Sequence, residues 1–210
     1  MTDKKQVHYF APRPHAGHDF KRVAGEWEGI SFSFLTDRDV FSRDRVDPGT
    51  GLLLENVLKA EKDRPVRLLD LGTGIGIMAL VLAQLRPAFS VTGSDVNSRA
   101  LDLARQNARF LDLEKRTSFM EADGVPAGGV YDLIVCNPPI RTGKDTVYRL
   151  FREAEKALAP DGALYIVIRV KQGARSAREE LSGLFDRTDT LDRSGGYHVI
   201  KAWKVKEESL

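Results

Sequence analysis

Cysteine, ligand-spaced histidine and long apolar runs are scarce or absent in this sequence. Cys136 is the one cysteine among 210 residues, so no disulfide can form within the chain and a cysteine-rich zinc site is excluded. The four histidines, at positions 8, 15, 18 and 198, do not have the spacing of metal ligands, and we predict no bound metal. No apolar run approaches the roughly 18 residues that a membrane span needs.

The N-terminus and the overall charge also lack the features of a membrane or nucleic-acid protein. The first residues, MTDKKQ, contain no apolar segment of the kind found in signal peptides. Lys and Arg number 32 and Asp and Glu number 30, a formal net charge of +2, so any surface that binds RNA must be a local one. By exclusion, we expect a cytoplasmic protein without a membrane partner.

From residue 66 onward, short apolar segments alternate with segments in which apolar residues recur every three or four positions. This pattern predicts helices between strands, and a hairpin that runs through Gly195-Gly196 to residue 205. The predicted strands are 66–71, 89–94, 117–120, 131–136 and 163–168. Alternating strands and helices favour an α/β fold: a doubly wound, Rossmann-like sheet of seven strands, mostly parallel, with a C-terminal antiparallel hairpin.

The first quarter of the chain predicts a small extension of this fold. Residues 1–50 are expected to form an N-terminal arm and a small β extension packed on the main domain, residues 51–210. Residues 27–35 partly alternate between apolar and polar, which is typical of strands or a hairpin. A turn at Asp47-Pro48-Gly49 follows, and Thr50 is the expected N-cap of the next helix.

A glycine-rich turn follows the first strand of the predicted sheet. The segment Gly72-Thr73-Gly74-Ile75-Gly76 leads into a helix, where glycines allow close backbone approach and the helix N-terminus offers free N–H groups. Asp95 ends the next strand, and a carboxylate there can accept both hydroxyls of a ribose. Ligands of such sheets bind at the carboxyl ends of the strands. The pattern therefore predicts a ribose-bearing cofactor.

The spacing of the glycines disfavours a dinucleotide. A G-x-G-x-x-G motif requires its third glycine at position 77, which is Ile77 in this sequence. A nicotinamide-dependent oxidoreductase also has no use for the second motif, which follows the fourth strand.

The second motif is Asn137-Pro138-Pro139-Ile140. Two prolines stiffen the exit from the strand, so that the Asn137 amide oxygen and the Pro138 carbonyl are held together as two acceptors. Two acceptors suit an NH2 group, whose lone pair they can orient toward an incoming methyl group and whose developing positive charge they can stabilise. Asn137, Pro138 and Pro139 are therefore the predicted catalytic residues. Cys136 should face away from Asn137, and we interpret it as a packing residue.

The two motifs together resemble the class I S-adenosylmethionine-dependent methyltransferases. Asp70 to Gly76 is similar to their motif I, and Asn-Pro-Pro is similar to the signature of those that methylate amino groups. The resemblance implies S-adenosylmethionine as the cofactor, with S-adenosylhomocysteine as the product. The residues that it implies for cofactor binding are Asp70, Gly72, Thr73, Gly74, Gly76, Asp95, Val96, Asp123, Gly124 and Asn137. The family usually has Tyr or Phe where Ile140 stands, so a stacking aromatic must come from elsewhere, with Tyr9, Phe10, Phe41 and Tyr148 as the candidates.

Four further segments narrow the resemblance to the single-domain relatives of RsmC-type rRNA guanine-N2 methyltransferases. They are residues 40–50, 137–144, 171–174 and 195–202, joined by the aromatic start His8-Tyr9-Phe10. The resemblance implies that Asp47 and Thr50 approach the methionine end of the cofactor. It implies guanine N2 of small-subunit ribosomal RNA as the acceptor; a protein glutamine or a small molecule is the alternative.

A local excess of positive charge fits an RNA partner. Residues 141–178 contain nine basic and four acidic residues, beside the predicted site where RNA phosphates would pass. Arg141, Lys144 and Lys171 lie at predicted strand ends, and with Ile140 they are the expected substrate contacts. We therefore expect ribosomal RNA or the small ribosomal subunit as the partner.

Overall fold

Strands and helices alternate over the middle of the chain, and pairs of consecutive strands stand at both ends of the described part. The computed structural model describes residues 17–205, so the His8-Tyr9-Phe10 segment, with its stacking candidates Tyr9 and Phe10, lies outside it. The strands are β1 (Lys21–Trp27), β2 (Ile30–Thr36), β3 (Val66–Leu71), β4 (Phe89–Asp95), β5 (Thr117–Glu121), β6 (Tyr131–Cys136), β7 (Leu158–Arg169), β8 (Arg187–Ser194) and β9 (Tyr197–Trp203). The helices are α1 (Pro48–Ala60), α2 (Ile77–Leu85), α3 (Ser98–Phe110), α4 (Lys144–Ala157) and α5 (Ala174–Leu184).

Seven of these strands form one sheet in the order β5-β4-β3-β6-β7-β9-β8. The pairs from β5 to β7 are parallel, and β9 runs antiparallel to both β7 and β8. The predicted doubly wound sheet with a C-terminal antiparallel hairpin is confirmed. The chain moves outward from β3 to β5 and then returns to β6. A crevice therefore opens at the carboxyl ends of β3 and β6, the place where ligands of such sheets bind.

The central strands are buried on both faces. Along β6, Leu133 and Val135 pack into a core shared with α1, α2 and α3, while Ile134 and Cys136 pack into a second core with α4 and α5. Parallel strands covered by helices on both sides are apolar nearly throughout. Polar side chains that belong to this layer are therefore concentrated where the strands end.

The N-terminal extension is a two-stranded antiparallel sheet, β1 with β2, whose apolar side chains join the first core. Asn107 of α3 holds it in place. The Asn107 carboxamide accepts from the backbone N–H of Leu35 at 2.7 Å and donates to the carbonyls of Leu35 at 3.0 Å and Ile75 at 3.1 Å. One buried side chain thus ties β2 to the glycine-rich turn that follows β3.

The start of α1 differs from the prediction. Asp47, not Thr50, is the N-cap, because its carboxylate accepts from the Thr50 backbone N–H at 3.1 Å and Pro48 begins the helix. Proline suits the first helical position, where no N–H is needed and its fixed φ fits the helix. Thr50 therefore lies in the first turn, and its buried hydroxyl is available for another role.

Residues 17–205 contain no helix that is both long and apolar enough to cross a bilayer. The same range contains no group of three or more His, Cys, Asp or Glu side chains that could hold a metal ion.

Replacing Asn107 by Ala should destabilise the fold. The Asn107 side chain is buried, and each buried backbone group that loses its partner costs about 1–3 kcal/mol, so we expect the free energy of unfolding to fall by about 2 kcal/mol or more. Urea denaturation measures it. Gln106→Ala is the matched control, because Gln106 lies next to it on the exposed face of α3; equal stabilities of the two variants would contradict the proposed role of Asn107.

Candidate active site

A cleft of about 780 Å³ opens at the carboxyl ends of the parallel strands. Its walls come from the segments that follow β3, β4, β5, β6 and β7, together with the loop before α1 and the first residue of β9. The predicted site residues that line it are Gly72, Thr73, Gly74, Asp95, Val96, Asp123, Gly124, Asn137, Pro138, Pro139, Ile140 and Arg141. A volume in this range is typical of cofactor sites, which usually span about 300–1,000 Å³.

The glycine-rich turn forms the floor of the cleft beside β3. Gly72 has φ +78°, and a Cβ built on it would meet no atom within 4 Å, so a side chain there would occupy the cleft itself. Gly76 has another role, because a Cβ there would lie 3.1 Å from the Ala104 side chain of α3. Gly76 does not line the cleft; it allows α2 and α3 to pack closely.

Asp70 lies beneath this turn and is completely buried. One carboxylate oxygen accepts from the Thr73 hydroxyl at 2.7 Å and from the Ala79 backbone N–H at 2.9 Å, while the other has no hydrogen-bond partner within residues 17–205. Burial raises the pKa of Asp70 to about 7, against the two hydrogen bonds, and the neighbouring Asp95 raises it further. Asp70 therefore organises the turn from below rather than lining the cleft.

Asp95, at the end of β4, shapes the turn from the side. One oxygen accepts from the Gly74 backbone N–H at 2.8 Å, and the other accepts from the Asn97 N–H at 2.9 Å. The Asp95 carboxylate also lines the cleft. The exit of β4 and the glycine-rich turn are thus joined at one acidic side chain, as the carboxyl-end rule predicts.

Helix α4 positions the loop that follows β5. Arg149 pairs with Asp123 at 2.6 Å and with Glu153 at 2.7 Å, and Glu153 accepts from the Val125 N–H at 3.1 Å. Gly124 has φ +109°, a conformation that other residues rarely adopt, and a Cβ there would lie 2.0 Å from the Glu153 carboxylate, so glycine is strongly favoured at this position. The sequence pattern is equally consistent with Arg149 as an RNA contact and as a residue on a solvated helix face. The structure instead pairs Arg149 with Asp123.

Asn137 follows β6 and is held by two residues at the start of α1. Its amide nitrogen donates to the Asp47 carboxylate at 3.2 Å and to the Thr50 hydroxyl at 3.0 Å. Because both amide hydrogens are used there, the oxygen is the end of the Asn137 carboxamide that remains for the cleft that it lines. The orientation of an amide is assigned from such partners, and a carboxylate can accept but not donate.

The two prolines form a tight turn. Pro139 has φ −75° and ψ 74°, and the Ile140 N–H donates to the Pro138 carbonyl at 2.8 Å, which is the geometry of an inverse γ-turn. A carbonyl oxygen has two lone pairs, so the Pro138 oxygen has capacity for a second donor. The rigid exit predicted from the two prolines therefore includes a hydrogen bond that the sequence did not indicate.

Tyr197 and Arg169 complete the wall, and Gly49 lies against Tyr197. None of the three was among the predicted site residues. Tyr197, the first residue of β9, lines the cleft, and its hydroxyl accepts from Arg169 Nε at 2.8 Å. A Cβ on Gly49 would lie 2.7 Å from the Tyr197 ring and 2.8 Å from the Asp47 carboxylate. Glycine at position 49 is therefore required for the ring to reach the start of α1.

The predicted substrate contacts separate into two groups. Arg141 lines the cleft, Lys144 lines a shallow depression beside it, and Lys171 is exposed on the short turn after β7 and lines neither. Within residues 17–205 none of the three forms an ion pair, whereas Arg149, Arg152 and Arg175 are paired with acidic residues.

The remaining aromatic candidates and Cys136 are also placed by the structure. Phe41 lines the cleft with 45% of its surface exposed, whereas Tyr148 stacks against Phe151, with ring centroids 6.1 Å apart. Cys136 is buried in the second core, and burial raises the pKa of its thiol well above the usual range. A thiol in that state is a packing group rather than a nucleophile.

Comparisons with known proteins give the family and agree with the fold. The family model described as methyltransferase small domain matches residues 31–201. The uncharacterized protein YbxB of Bacillus subtilis is 33% identical over 201 residues, which cover 94% of this chain and 98% of that protein. The fold is also similar to that of the T. thermophilus 16S rRNA N2 methyltransferase RsmC, solved with AdoMet and guanosine, at a TM-score of 0.80 and 24% identity, covering 91% of this chain and 52% of that one.

Two groups of longer enzymes are similar as well. Ribosomal RNA small subunit methyltransferase C of Serratia proteamaculans is 39% identical over 185 residues, 84% of this chain and 51% of that protein. The release factor glutamine methyltransferase of Chlorobaculum tepidum is 36% identical over 136 residues, 59% of this chain and 45% of that protein. The chain thus spans about half the length of these two enzymes.

The buried Asp70 should make stability depend on pH. Its pKa is about 7 in the folded protein against an ordinary value of 3.8, so the folded state holds this proton more tightly. The contribution of Asp70 to the free energy of unfolding is therefore greatest below about pH 4, falls between about pH 4 and pH 7, and is constant above.

Comparing the protein with its Asp70→Asn variant isolates this effect. Urea denaturation at several pH values should show the native protein losing a few kcal/mol relative to the variant across that window, since one pKa unit corresponds to about 1.4 kcal/mol. Parallel stability profiles for the two proteins would rule out a raised pKa at Asp70.

Proposed function

Because the chain belongs to the methyltransferase small domain family and is an S-adenosylmethionine-dependent methyltransferase, we propose that it methylates an exocyclic amine, the N2 of a guanine in small-subunit ribosomal RNA. The orientation of Asn137 carries the proposal. With both amide hydrogens bound to Asp47 and Thr50, the carboxamide presents an acceptor to the cleft beside the Pro138 carbonyl. Two acceptors at a strand exit match the two hydrogens of an NH2 group.

The residues of the cleft fit the cofactor. Gly72 leaves space in the cleft that a side chain would fill, and the turn beside it offers backbone groups to a ligand. We propose that Gly72, Thr73 and Gly74 hold the methionine part, that Asp95 and Val96 hold the ribose, and that Asp123 and Gly124 hold the base. S-adenosylmethionine supplies a methyl group made electrophilic by its sulfonium sulfur and leaves as the neutral thioether S-adenosylhomocysteine.

The chemical task of Asn137 and Pro138 follows from the nature of the acceptor. An exocyclic amine is a poor nucleophile because its lone pair is delocalised into the ring. Hydrogen bonds from its two N–H groups to the Asn137 and Pro138 oxygens orient the lone pair toward the methyl group. As the nitrogen gains the methyl group it becomes positively charged; the same oxygens stabilise this charge until one proton passes to water.

Positive charge in and beside the cleft, together with one exposed aromatic residue, favours RNA. Arg141, Lys144 and Lys171 are exposed and lack ion pairs within residues 17–205, so their charges are available to phosphates. Phe41 is the aromatic residue that we assign to stacking on the base, since it lines the cleft and is partly exposed. Tyr148, packed on Phe151, is less suited to this role.

A protein glutamine is the second candidate acceptor. The likeness to release factor glutamine methyltransferases favours it, and a glutamine carboxamide also presents an NH2 group that two acceptors can hold. The three exposed basic residues in and beside the cleft, Arg141, Lys144 and Lys171, weigh against a glutamine acceptor, because a peptide does not carry the regular negative charge of RNA.

Transfer of labelled methyl groups separates the two acceptors. The substrates are deproteinised rRNA and intact small subunits from a strain lacking the protein, and purified release factor. We expect label in rRNA, recovered as N2-methylguanosine after digestion to nucleosides. Asn137→Ala should lower the single-turnover rate by about 10²-fold or more, whereas Asn137→Asp, which keeps an acceptor oxygen, should retain some activity. Gln106→Ala is the matched control for a changed carboxamide.

Label found in the release factor would support glutamine as the acceptor and contradict RNA. Full activity of Asn137→Ala would exclude the proposed mechanism, even with the acceptor correctly identified.

Asp95→Ala should weaken cofactor binding. The loss of charge-assisted hydrogen bonds to a ribose corresponds to about 1–3 kcal/mol, measured by calorimetry with S-adenosylmethionine. Asp132→Ala is the control, because Asp132 is paired with Arg67 near the opposite end of the sheet. Unchanged affinity in a folded Asp95→Ala protein would remove Asp95 from the cofactor site.

A further inference from the structure

We infer that Asp47 and Thr50 are positioning residues that determine which end of the Asn137 carboxamide meets the acceptor amine. The inference rests on the proposed function, because it concerns how the proposed catalytic residue is oriented. The hydrogen bond from Asn137 to Asp47 joins residues 90 positions apart in the sequence, and the bond from Asn137 to Thr50 joins residues 87 positions apart. They join the start of α1 to the exit of β6.

A carboxamide needs such a partner because its two ends have nearly the same shape. Rotated by a half turn, Asn137 would direct its NH2 group toward the hydrogens of the acceptor amine, and two donors would face each other. Asp47 removes this ambiguity, since an ionised carboxylate accepts hydrogen bonds and cannot donate them. The Thr50 hydroxyl provides the second acceptor, so both amide hydrogens are directed away from the acceptor amine.

The charge of Asp47 has a second effect. A carboxylate that accepts an amide hydrogen pushes electron density from the amide nitrogen toward the amide oxygen, because hydrogen bonds in a chain polarise one another. The Asn137 oxygen thereby becomes a stronger acceptor at the moment when the substrate nitrogen becomes positively charged. The neutral isostere Asp47→Asn would keep an acceptor oxygen and lose this polarisation.

Asp47 is itself held in place. The oxygen that accepts from Asn137 also accepts from the Thr50 backbone N–H, and the Asp47 N–H donates to the Ser42 hydroxyl at 3.3 Å. Thr50 is buried, with 5% of its surface exposed. The Tyr197 ring packs where a side chain at Gly49 would otherwise be. These contacts leave the cap carboxylate little freedom to turn away from Asn137.

A role for Asp47 and Thr50 at the methionine end of the cofactor makes a different prediction. Loss of a cofactor contact would weaken the affinity for S-adenosylmethionine and leave the rate at saturation unchanged. Loss of positioning would lower the rate at saturation and leave that affinity within a few-fold.

The kinetic test uses variants that preserve the helix cap or the buried shape. Thr50→Val removes the hydroxyl at nearly constant volume, and Asp47→Ser keeps a capping side chain that is too short to reach Asn137. At saturating cofactor and rRNA we expect single-turnover rates reduced by about 10-fold for Thr50→Val and by about 10²-fold for Asp47→Ser. Asp47→Asn should have an intermediate rate, and Thr50→Ser should restore most of the activity.

Two controls match these changes at the opposite edge of the sheet. Thr117→Val removes a hydroxyl that donates to the Leu113 carbonyl, and Asp63→Ser removes a carboxylate that accepts from the Ala88 N–H. Both should transfer methyl groups at the rate of the unaltered protein. Asp47→Ser and Thr50→Val proteins with full rates at saturation would overturn the inference, and so would a loss confined to cofactor affinity.

A spectroscopic readout tests the positioning without any acceptor. The side-chain NH2 signals of Asn137 in ¹⁵N-labelled protein, assigned by their absence in Asn137→Asp, should be shifted from free-amide positions and protected from exchange with water. Both properties should diminish in Asp47→Ser and Thr50→Val and persist in the controls. Protected signals in a protein that methylates neither rRNA nor release factor would refute the proposed function alone. Signals that do not change in the two variants would refute the positioning alone.

Discussion

The burial of the central strands on both faces is the constraint on which this site depends. Strands β3 and β6 are covered by α1, α2 and α3 on one side and by α4 and α5 on the other. An unpaired polar side chain in that layer is costly, so polar residues are concentrated where the strands leave it. Asn137 and Asp95 stand at such exits, and because the strands are parallel their exits lie at one edge. The polar chemistry of the cleft is thus a consequence of how the sheet is covered.

Asp70 is an exception within the strand layer, and its contacts explain how it is accommodated. The Thr73 hydroxyl and the Ala79 N–H both donate to it, which links β3, the glycine-rich turn and α2. The turn is held from the other side by Asp95 through the Gly74 N–H. Two carboxylates therefore act on one short loop, and their proximity contributes to the raised pKa of Asp70.

The sequence predicted those features that depend on local pattern. The period of the apolar residues predicts the strands and helices of the sheet, and the carboxyl-end rule predicts that Gly72, Asp95 and Asn137 lie at one edge. The local sequence pattern does not predict contacts between segments that are far apart in the chain. The pairing of Arg149 with Asp123 and the packing of Tyr197 over Gly49 depend on how helices and strands meet in space.

The predicted N-cap was wrong because Asp47 and Thr50 are both good capping residues. Pro48 decides between them, since proline suits the first position of a helix.

The identity of the N-cap residue bears directly on the chemistry. Thr50 as the cap would have used its hydroxyl on the backbone of α1. With Asp47 as the cap, the Thr50 hydroxyl is available to accept from Asn137. One oxygen of the Asp47 carboxylate accepts both from the Thr50 backbone N–H and from the Asn137 amide. The start of α1 thereby supplies acceptors to Asn137, which in turn is left as an acceptor toward the cleft. In the inferred arrangement donation runs in one direction, from the acceptor amine to the Asn137 oxygen and from the Asn137 amide to Asp47 and Thr50. A charge at residue 47 can therefore favour NH2 groups at a strand exit 90 residues away.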